Sequence, residues 1–194
     1  MKNTELFKDL DSYIKENRIK EKSNIEELLK EGYEENIFTY GTTPYDTFLS
    51  LLDNVKIKPK RFIVVGCSIG WINFFWNEIN SNIPTIGIDI FKPRIDFGNN
   101  LIEKYNLNNI KLDTTSFFDF EFKEGDIIWE SNLCFNQTDV FKTNEDILGK
   151  TTKLSIISYR PITYQKEYKN NINKYYFPVS WMDKQPFFIY EKTN

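Results

Sequence analysis

Two glycines and one acid form the clearest chemical pattern in this sequence. Gly66 and Gly70 enclose a short turn that follows an apolar run and opens a segment of helical character. About twenty residues further on, a second apolar run at 86–88 ends in Asp89. This order is typical of nucleoside sites in open α/β sheets. Glycine lets the backbone approach the ligand, and the carboxylate accepts hydrogen bonds from two ribose hydroxyls. The spacing therefore predicts a nucleoside-cofactor site at residues 64–90.

The glycine pattern also selects among nucleoside cofactors. A dinucleotide fingerprint needs G-x-G-x-x-G, whereas this turn reads only Gly-Cys-Ser-Ile-Gly, and no Gly-Lys-Ser/Thr of a Walker phosphate loop follows it. Both absences favour S-adenosylmethionine, because that cofactor has no pyrophosphate to place on a helix start. The plainer alternative is a buried strand followed by any tight turn, with Asp89 as a surface acid or a helix cap. The spacing from the turn to Asp89 favours the cofactor.

The composition excludes several kinds of site. The 194 residues contain no histidine, which excludes Ser-His-Asp and Cys-His catalysis, histidine metal sites and a histidine general base. The two cysteines, Cys67 and Cys134, lie far apart and match no metal spacing, so we predict no metal site and a reducing compartment. A net charge of −3 gives no reason to expect strong nonspecific nucleic-acid binding. The basic stretch from Lys150 onward is either a solvated face or a contact for an acidic partner.

The predicted elements alternate between strands and helices and then end in a hairpin. We expect parallel strands at 61–65, 85–90, 109–113, 126–130 and 153–158, followed by two runs at 175–181 and 186–191 with a turn at Asp183 and Lys184. The fold class is therefore α/β, with a mostly parallel, seven-stranded, Rossmann-like sheet and a C-terminal antiparallel hairpin, as in class I methyltransferases. Amphipathic helices within residues 3–33 predict an N-terminal helical cap packed on the sheet. We place the cap at 1–37 and the main domain at 38–194.

Three further stretches carry a resemblance to a known family. They read Tyr-Gly-Thr-Thr-Pro-Tyr-Asp at 40–46, Asp-Ile-Ile-Trp-Glu-Ser-Asn-Leu-Cys-Phe at 126–135, and Val-Ser-Trp-Met-Asp-Lys at 179–184 followed by Pro-Phe-Phe-Ile-Tyr at 186–190. In this order they resemble the catalytic core of the non-SET histone lysine methyltransferases, the disruptor-of-telomeric-silencing family. The resemblance covers roughly 38–192. It implies S-adenosylmethionine as the cofactor and a protein lysine side chain as the methyl acceptor.

The resemblance also implies roles for single residues. The first loop would line the methionine end of the cofactor, the glycine turn would pass beneath it, Asp89 would hold the ribose, and the next loop would lie at the edge and face of the adenine. The cofactor residues are then Tyr40, Gly41, Thr43, Gly66, Gly70, Asp89, Ser116 and Phe117. Asn132 and Phe135 would shape the tunnel for the substrate nitrogen, with Tyr190 as a third catalytic position and Trp181 holding the hairpin beside it.

The chain departs from the family pattern at several of these positions. The acid that would face the cofactor's ammonium group is Val64, and the first of two asparagines is Ser131. Three functions therefore stay open: a protein lysine methyltransferase, a small-molecule methyltransferase, and a non-catalytic binding module that has kept the fold. The expected partner is a protein or small-molecule methyl acceptor. A nucleosome or nucleic acid has weaker support, because no long basic tail is present.

The last expectations concern location and assembly. No apolar run reaches transmembrane length and no apolar segment follows Met1, so we expect no membrane partner. We expect an intracellular, cytoplasmic protein, or a nuclear one if a histone is the substrate. The sequence does not assign an oligomeric state.

Overall fold

The computed structural model describes residues 4–17, 25–26, 29–30, 41–163 and 171–193. Five helices have both ends within these ranges: α1 (Thr4–Asn17), α2 (Tyr45–Leu52), α3 (Trp71–Ile79), α4 (Lys92–Lys104) and α5 (Gln137–Lys150). The strands are β1 (Arg61–Val65), β2 (Thr85–Asp89), β3 (Ile110–Thr114), β4 (Asp126–Glu130), β5 (Leu154–Ser158), β6 (Ile172–Val179) and β7 (Met182–Lys192). Short 3-10 segments at Phe117–Asp119 and Asn132–Cys134 follow β3 and β4.

The described strands form one sheet in the order β3-β2-β1-β4-β5-β7-β6. Neighbours from β1 to β5 pair in parallel, whereas β7 is antiparallel to both β5 and β6. Helices connect β1 to β2, β2 to β3 and β4 to β5, because a parallel crossover needs a long connection. This arrangement confirms the predicted fold class. The chain order reverses at β1, so the carboxyl ends of β1, β2 and β4 meet beside a switch point where ligands bind in open α/β sheets.

Alternating apolar residues divide the core between the two faces of the sheet. On β1, Phe62 and Val64 belong to the cluster beneath α1 to α4, whereas Val65 belongs to the cluster beneath α5. The first cluster is built largely from aromatic rings, among them Phe62 and Trp76, which stack with centroids 4.2 Å apart. Burying residues on both faces explains why β1 and β4 read as nearly continuous apolar runs.

The N-terminal helix α1 packs on the first of these clusters. Leu6, Phe7 and Leu10 are buried, and the Phe7 ring lies 5.3 Å from Phe75 and 5.9 Å from Trp71, both in α3. The helix therefore contacts α3 within the core cluster that also includes strand residues. Most of the second predicted cap helix and the boundary at 37/38 lie outside the described residues, so the division into cap and domain stays a prediction.

The turn of the terminal hairpin differs from the sequence expectation. Val179 pairs with Met182, so Ser180 and Trp181 form the turn, while Asp183 and Lys184 lie within β7. The Ser180 N–H donates to the Thr42 carbonyl at 3.0 Å, and the Ser180 hydroxyl accepts the Thr42 N–H at 2.9 Å. These hydrogen bonds connect the turn to the loop at 41–43. The polar residues Asp183 and Lys184 are typical of a turn in sequence but lie in strand β7.

No helix in the described part of the chain is both long enough and apolar enough to span a lipid bilayer.

Candidate active site

The glycine turn lies at the carboxyl end of β1 and adopts left-handed backbone at three positions. Gly66, Ser68 and Gly70 have φ of 67°, 53° and 89°. At Gly70 a β-carbon would lie 2.8 Å from Cδ1 of Leu112, so both the backbone angle and the close packing require glycine. The turn therefore lies tightly against the sheet and leads directly into α3.

Asp89 ends β2 and connects the glycine turn to the start of the next helix through its two carboxylate oxygens. Oδ2 accepts the Ser68 N–H at 2.8 Å, and Oδ1 accepts the Phe91 N–H at 2.9 Å. Burial raises the pKa of this carboxyl above its usual value, although the backbone donors at Phe91 and Ser68 oppose the shift. A carboxylate oxygen can accept more than one hydrogen bond. Asp89 can therefore hold the turn and still accept hydrogen bonds from ribose hydroxyls.

The loop after β3 brings Phe117 to the carboxyl edge of the sheet, near Phe135. The Thr115 N–H donates to the Asp89 carbonyl at 3.0 Å, which places this loop beside β2. The Ser116 hydroxyl accepts the Phe118 N–H at 3.3 Å and thereby caps the 3-10 segment. Phe117 is buried, with its ring 6.1 Å from that of Phe135. Its described contacts are those of a core aromatic residue, so its role at the adenine stays a prediction.

The segment after β4 covers the glycine turn. If Gly66 carried a β-carbon, that atom would lie 3.4 Å from both Cζ of Phe135 and Cβ of Ser131. The Ser131 N–H donates to the Val65 carbonyl at 3.0 Å, so this segment is tied to the end of β1. The structure thus brings Phe135 to the glycine turn, while its role in a substrate tunnel stays a prediction. Asn132, the next residue after Ser131, is buried.

A buried polar cluster lies at the end of β4. Glu130 Oε2 accepts hydrogen bonds from Asn132 Nδ2 at 3.1 Å and from Asn144 Nδ2 of α5 at 3.3 Å. Burial raises the pKa of Glu130 from 4.5 to about 8, against the opposing effect of the two amide donors. Glu130 lies within the 126–135 stretch of the resemblance, which gives it no role, and no sequence motif contains Asn144. The available signal is that an acid ends an otherwise apolar strand.

A second group of predicted residues meets at the hairpin. A β-carbon on Gly41 would lie 2.3 Å from Cε3 of Trp181, so the loop packs directly against the indole. The Thr43 hydroxyl forms a hydrogen bond with the Tyr159 hydroxyl just beyond β5. The first and third stretches of the resemblance therefore contact each other across 138 residues of sequence. Tyr40 lies outside the described residues.

Two positions lie in the core rather than at the edge. Tyr190 is 1% exposed and pairs with Ile156 in the middle of the sheet, within the cluster beneath α5. The same cluster contains Val65 and Phe117, and Phe135 packs against it, so a catalytic role for Tyr190 stays a prediction. Val64 is buried on the opposite face, so an apolar core residue occupies the position of the family's acid.

Comparisons with known proteins support the fold. No protein-family model matches the chain, and no curated protein sequence matches it either. Among solved structures, TrmN from Thermus thermophilus matches with a TM-score of 0.60 and 14% identity, over 81% of this chain and 52% of that one. The fold is that of the class I methyltransferases. TrmK from M. capricolum, in complex with S-adenosyl-homocysteine, matches with a TM-score of 0.51 and 14% identity, over 74% of this chain and 66% of that one. A mutant of MtNAS has the same score and identity, over 82% and 68%.

The chain thus spans between about half and two thirds of the length of these solved structures. At this level of identity the structural similarity shows the fold alone. It does not show membership of the disruptor-of-telomeric-silencing family. The S-adenosyl-homocysteine bound to TrmK is consistent with the predicted cofactor, S-adenosylmethionine. Within the described ranges, no group of three or more cysteine or acidic side chains is arranged to hold a metal ion.

Proposed function

We propose that this protein is an S-adenosylmethionine-dependent methyltransferase. The observation that carries the proposal is the pairing of Asp89 with the glycine turn at the carboxyl ends of β2 and β1. Asp89 accepts the Ser68 N–H and retains acceptor capacity on both oxygens, while Gly66 and Gly70 place no side chain at the two ends of the turn. A ribose with two hydroxyls fits this arrangement of one carboxylate above a glycine turn.

For methyl transfer, the main task of the protein is to position the cofactor and the methyl acceptor. S-adenosylmethionine supplies a methyl group on a positively charged sulfur, and transfer is an in-line displacement by the acceptor's lone pair. The protein's residues have to orient the two reactants and exclude water. Phe135 and Ser131 suit the second task, since they cover the turn at van der Waals distance. The absence of histidine is compatible with this chemistry, because a neutral amine needs no base during the transfer itself.

A protein lysine side chain is the acceptor that the resemblance favours. Support comes from the contact between the 41–43 loop and the hairpin, because these stretches belong to the same resemblance and form one surface beside β5. A non-catalytic binding module is the second candidate. Val64 favours it, because this core residue leaves β1 without an acid to face the cofactor's ammonium group.

Calorimetry followed by methyl transfer tests the proposal. We expect both S-adenosylmethionine and S-adenosylhomocysteine to bind, and ligand at 100 times its dissociation constant to raise the unfolding free energy by about 2.7 kcal/mol. Labelled cofactor should then transfer its methyl group to histones, other proteins or small amines. Binding without transfer to any of these acceptors would favour the binding module. If neither compound binds at millimolar concentration, the proposal is wrong.

A further inference from the structure

Strand β6 leaves one edge of the sheet open. It is the last strand in the sheet order and pairs only with β7 among the described strands. The Glu191 N–H donates to the Asn171 carbonyl at 3.3 Å, so Asn171 faces β7, and in an antiparallel pair every second residue after it does the same. The backbone N–H and C=O groups of Ile172, Lys174 and Tyr176 therefore point away from β7. Within the described part of the chain, no hydrogen bond involves these outward groups.

Other parts of the sheet edge are covered by neighbouring helices. At the end of β6, the Pro178 carbonyl accepts the Thr47 hydroxyl of α2 at 2.8 Å. On β3, the strand at the opposite end of the sheet, the Leu112 carbonyl accepts a side-chain N–H of Asn99 from α4 at 3.0 Å. An uncovered strand edge is a template for pairing with another chain. Among the described strands, the segment 172–176 is therefore the part of the edge that can accept a further strand.

The side chains of the open segment contribute to a basic and aromatic face. Lys174 is exposed and pairs with Phe188, and its Nζ lies 4.9 Å from the ring centroid of Tyr176 and 5.5 Å from that of Phe188. Tyr176 is 57% exposed. Lys184 is also exposed and lies on the same face, because it is an even number of residues from Phe188 along β7. β6 contains no acid, and both acids of β7 alternate to the other face, so the hairpin contributes only positive charge here.

We propose that the open edge of β6 binds an extended acidic segment of a partner protein as an added strand. A peptide matches the edge, because its own N–H and C=O groups can pair with those of Ile172, Lys174 and Tyr176. Alternate side chains of the added strand then lie over the basic face, where aspartate or glutamate pairs with Lys174 and Lys184. A nucleic acid shares the negative charge but has no backbone amides to pair with the edge, so the open edge favours a peptide.

This binding edge lies at the same level of the sheet as the candidate active site. The strand register runs from Lys174 through Phe188, β5 and β4 to Val65, the last residue before the glycine turn. Four strand spacings of roughly 4.8 Å place the edge about 19 Å from that turn. A partner strand on β6 therefore lies outside the cofactor pocket, and its binding does not require a cofactor.

Hydrogen exchange followed by NMR tests the edge directly. In the protein alone, the amides of Lys174 and Tyr176 should exchange at least about tenfold faster than the amide of Tyr175, which faces β7. The probe is the capped peptide Thr-Glu-Val-Glu-Val-Glu-Val-Thr. At millimolar concentration it should slow exchange at Lys174 and Tyr176 by about tenfold or more, because an added strand accepts these N–H groups, and it should leave Tyr175 unchanged.

Peptides and variants of opposite charge test the basic face. The counterpart Thr-Lys-Val-Lys-Val-Lys-Val-Thr should bind about fivefold or more weakly than the acidic peptide, since each exposed charge pair contributes modestly. Lys174→Glu should reverse this preference and keep the backbone edge. Lys111→Glu is the matched control, because Lys111 is an exposed lysine on β3 at the other end of the sheet, where it pairs with Asp113 at 2.7 Å. The control should keep the wild-type preference.

Three outcomes would overturn the added strand. The first is unchanged exchange at Lys174 and Tyr176 with millimolar acidic peptide, or a Lys174→Glu variant that keeps the wild-type preference. The second is protection of both amides in the protein alone together with a dimer in sedimentation, which would assign the edge to a second copy of the chain. The third is tighter binding of oligouridylate than of the acidic peptide, which would assign the face to a nucleic acid. None of these results affects the proposed function, which binding of S-adenosylhomocysteine tests separately.

Discussion

Replacing Glu130 with glutamine should change how the stability of the fold depends on pH. The pKa of Glu130 is about 8 in the folded protein, against 4.5 for an exposed glutamate. The folded state therefore holds a proton that the unfolded state releases. The stability from this group is fully present below about pH 4.5 and is lost as the pH rises toward 8. Glutamine keeps the shape of the side chain and does not titrate.

The size of the effect follows from the shift. Between the two pKa values, wild-type protein should lose about 1.4 kcal/mol of unfolding free energy per pH unit relative to Glu130→Gln. From about pH 5 to about pH 7 the relative change is therefore about 3 kcal/mol. This is a large fraction of the roughly 5–15 kcal/mol that stabilises a typical domain. Altered hydrogen bonds in the variant add a constant offset, which cancels when only the pH dependence is compared.

Urea denaturation followed by circular dichroism at several pH values between 5 and 8 measures this difference. Glu121→Gln is the control for removing a carboxylate at the surface, since Glu121 is 80% exposed and pairs only with Lys123 at 3.1 Å among the described ion pairs. We expect the stability difference for Glu130→Gln to grow in favour of the variant as the pH rises. A difference that stays constant over this range would refute the reasoning, because it would mean that Glu130 is charged in the folded protein.

Three further substitutions test the site. Asp89→Ala should lower the affinity for S-adenosylhomocysteine by about tenfold or more, and should also lower the melting temperature because two backbone donors lose their acceptor. Unchanged affinity in calorimetry would remove Asp89 from the ribose role. Gly70→Ala should cost about 1–3 kcal/mol in urea denaturation, since φ is 89° there, and a fully stable variant would contradict the turn geometry. The Thr42 N–H donates to the Ser180 hydroxyl, and the loop that carries it packs against the Trp181 indole. Trp181→Ala should therefore speed hydrogen exchange at the Thr42 amide. Unchanged protection of this amide would show that the loop does not depend on the indole.

Much of the fold could be predicted from the sequence because its signals are local. The parallel strands coincide with the apolar runs at 61–65, 85–90, 109–113, 126–130 and 153–158 to within one residue at each end. The glycine turn and the acid that ends β2 meet as predicted, since parallel strands bring their carboxyl ends to one edge. Because neighbouring residues set the conformation of these elements, the local sequence pattern predicts where each element lies.

The hairpin and part of the candidate site depended on contacts between distant residues. Ser180 in the turn is hydrogen-bonded to Thr42, 138 residues away in sequence. Tyr190 matches the hairpin of the family resemblance in sequence and lies in the core beneath α5. A local pattern contains no information about which loop a hairpin will touch. It also does not indicate which face of β7 the core will cover.

The sequence by itself determined where the parallel strands lie along the chain and that the glycine turn would meet Asp89, because each depends on the residue pattern along short segments. Only the tertiary structure decided that Glu130 meets Asn144 of α5 in a water-excluded cluster. The raised pKa of Glu130 is a consequence of that burial. Burial is a property of packing between elements, and no single segment of the chain contains it.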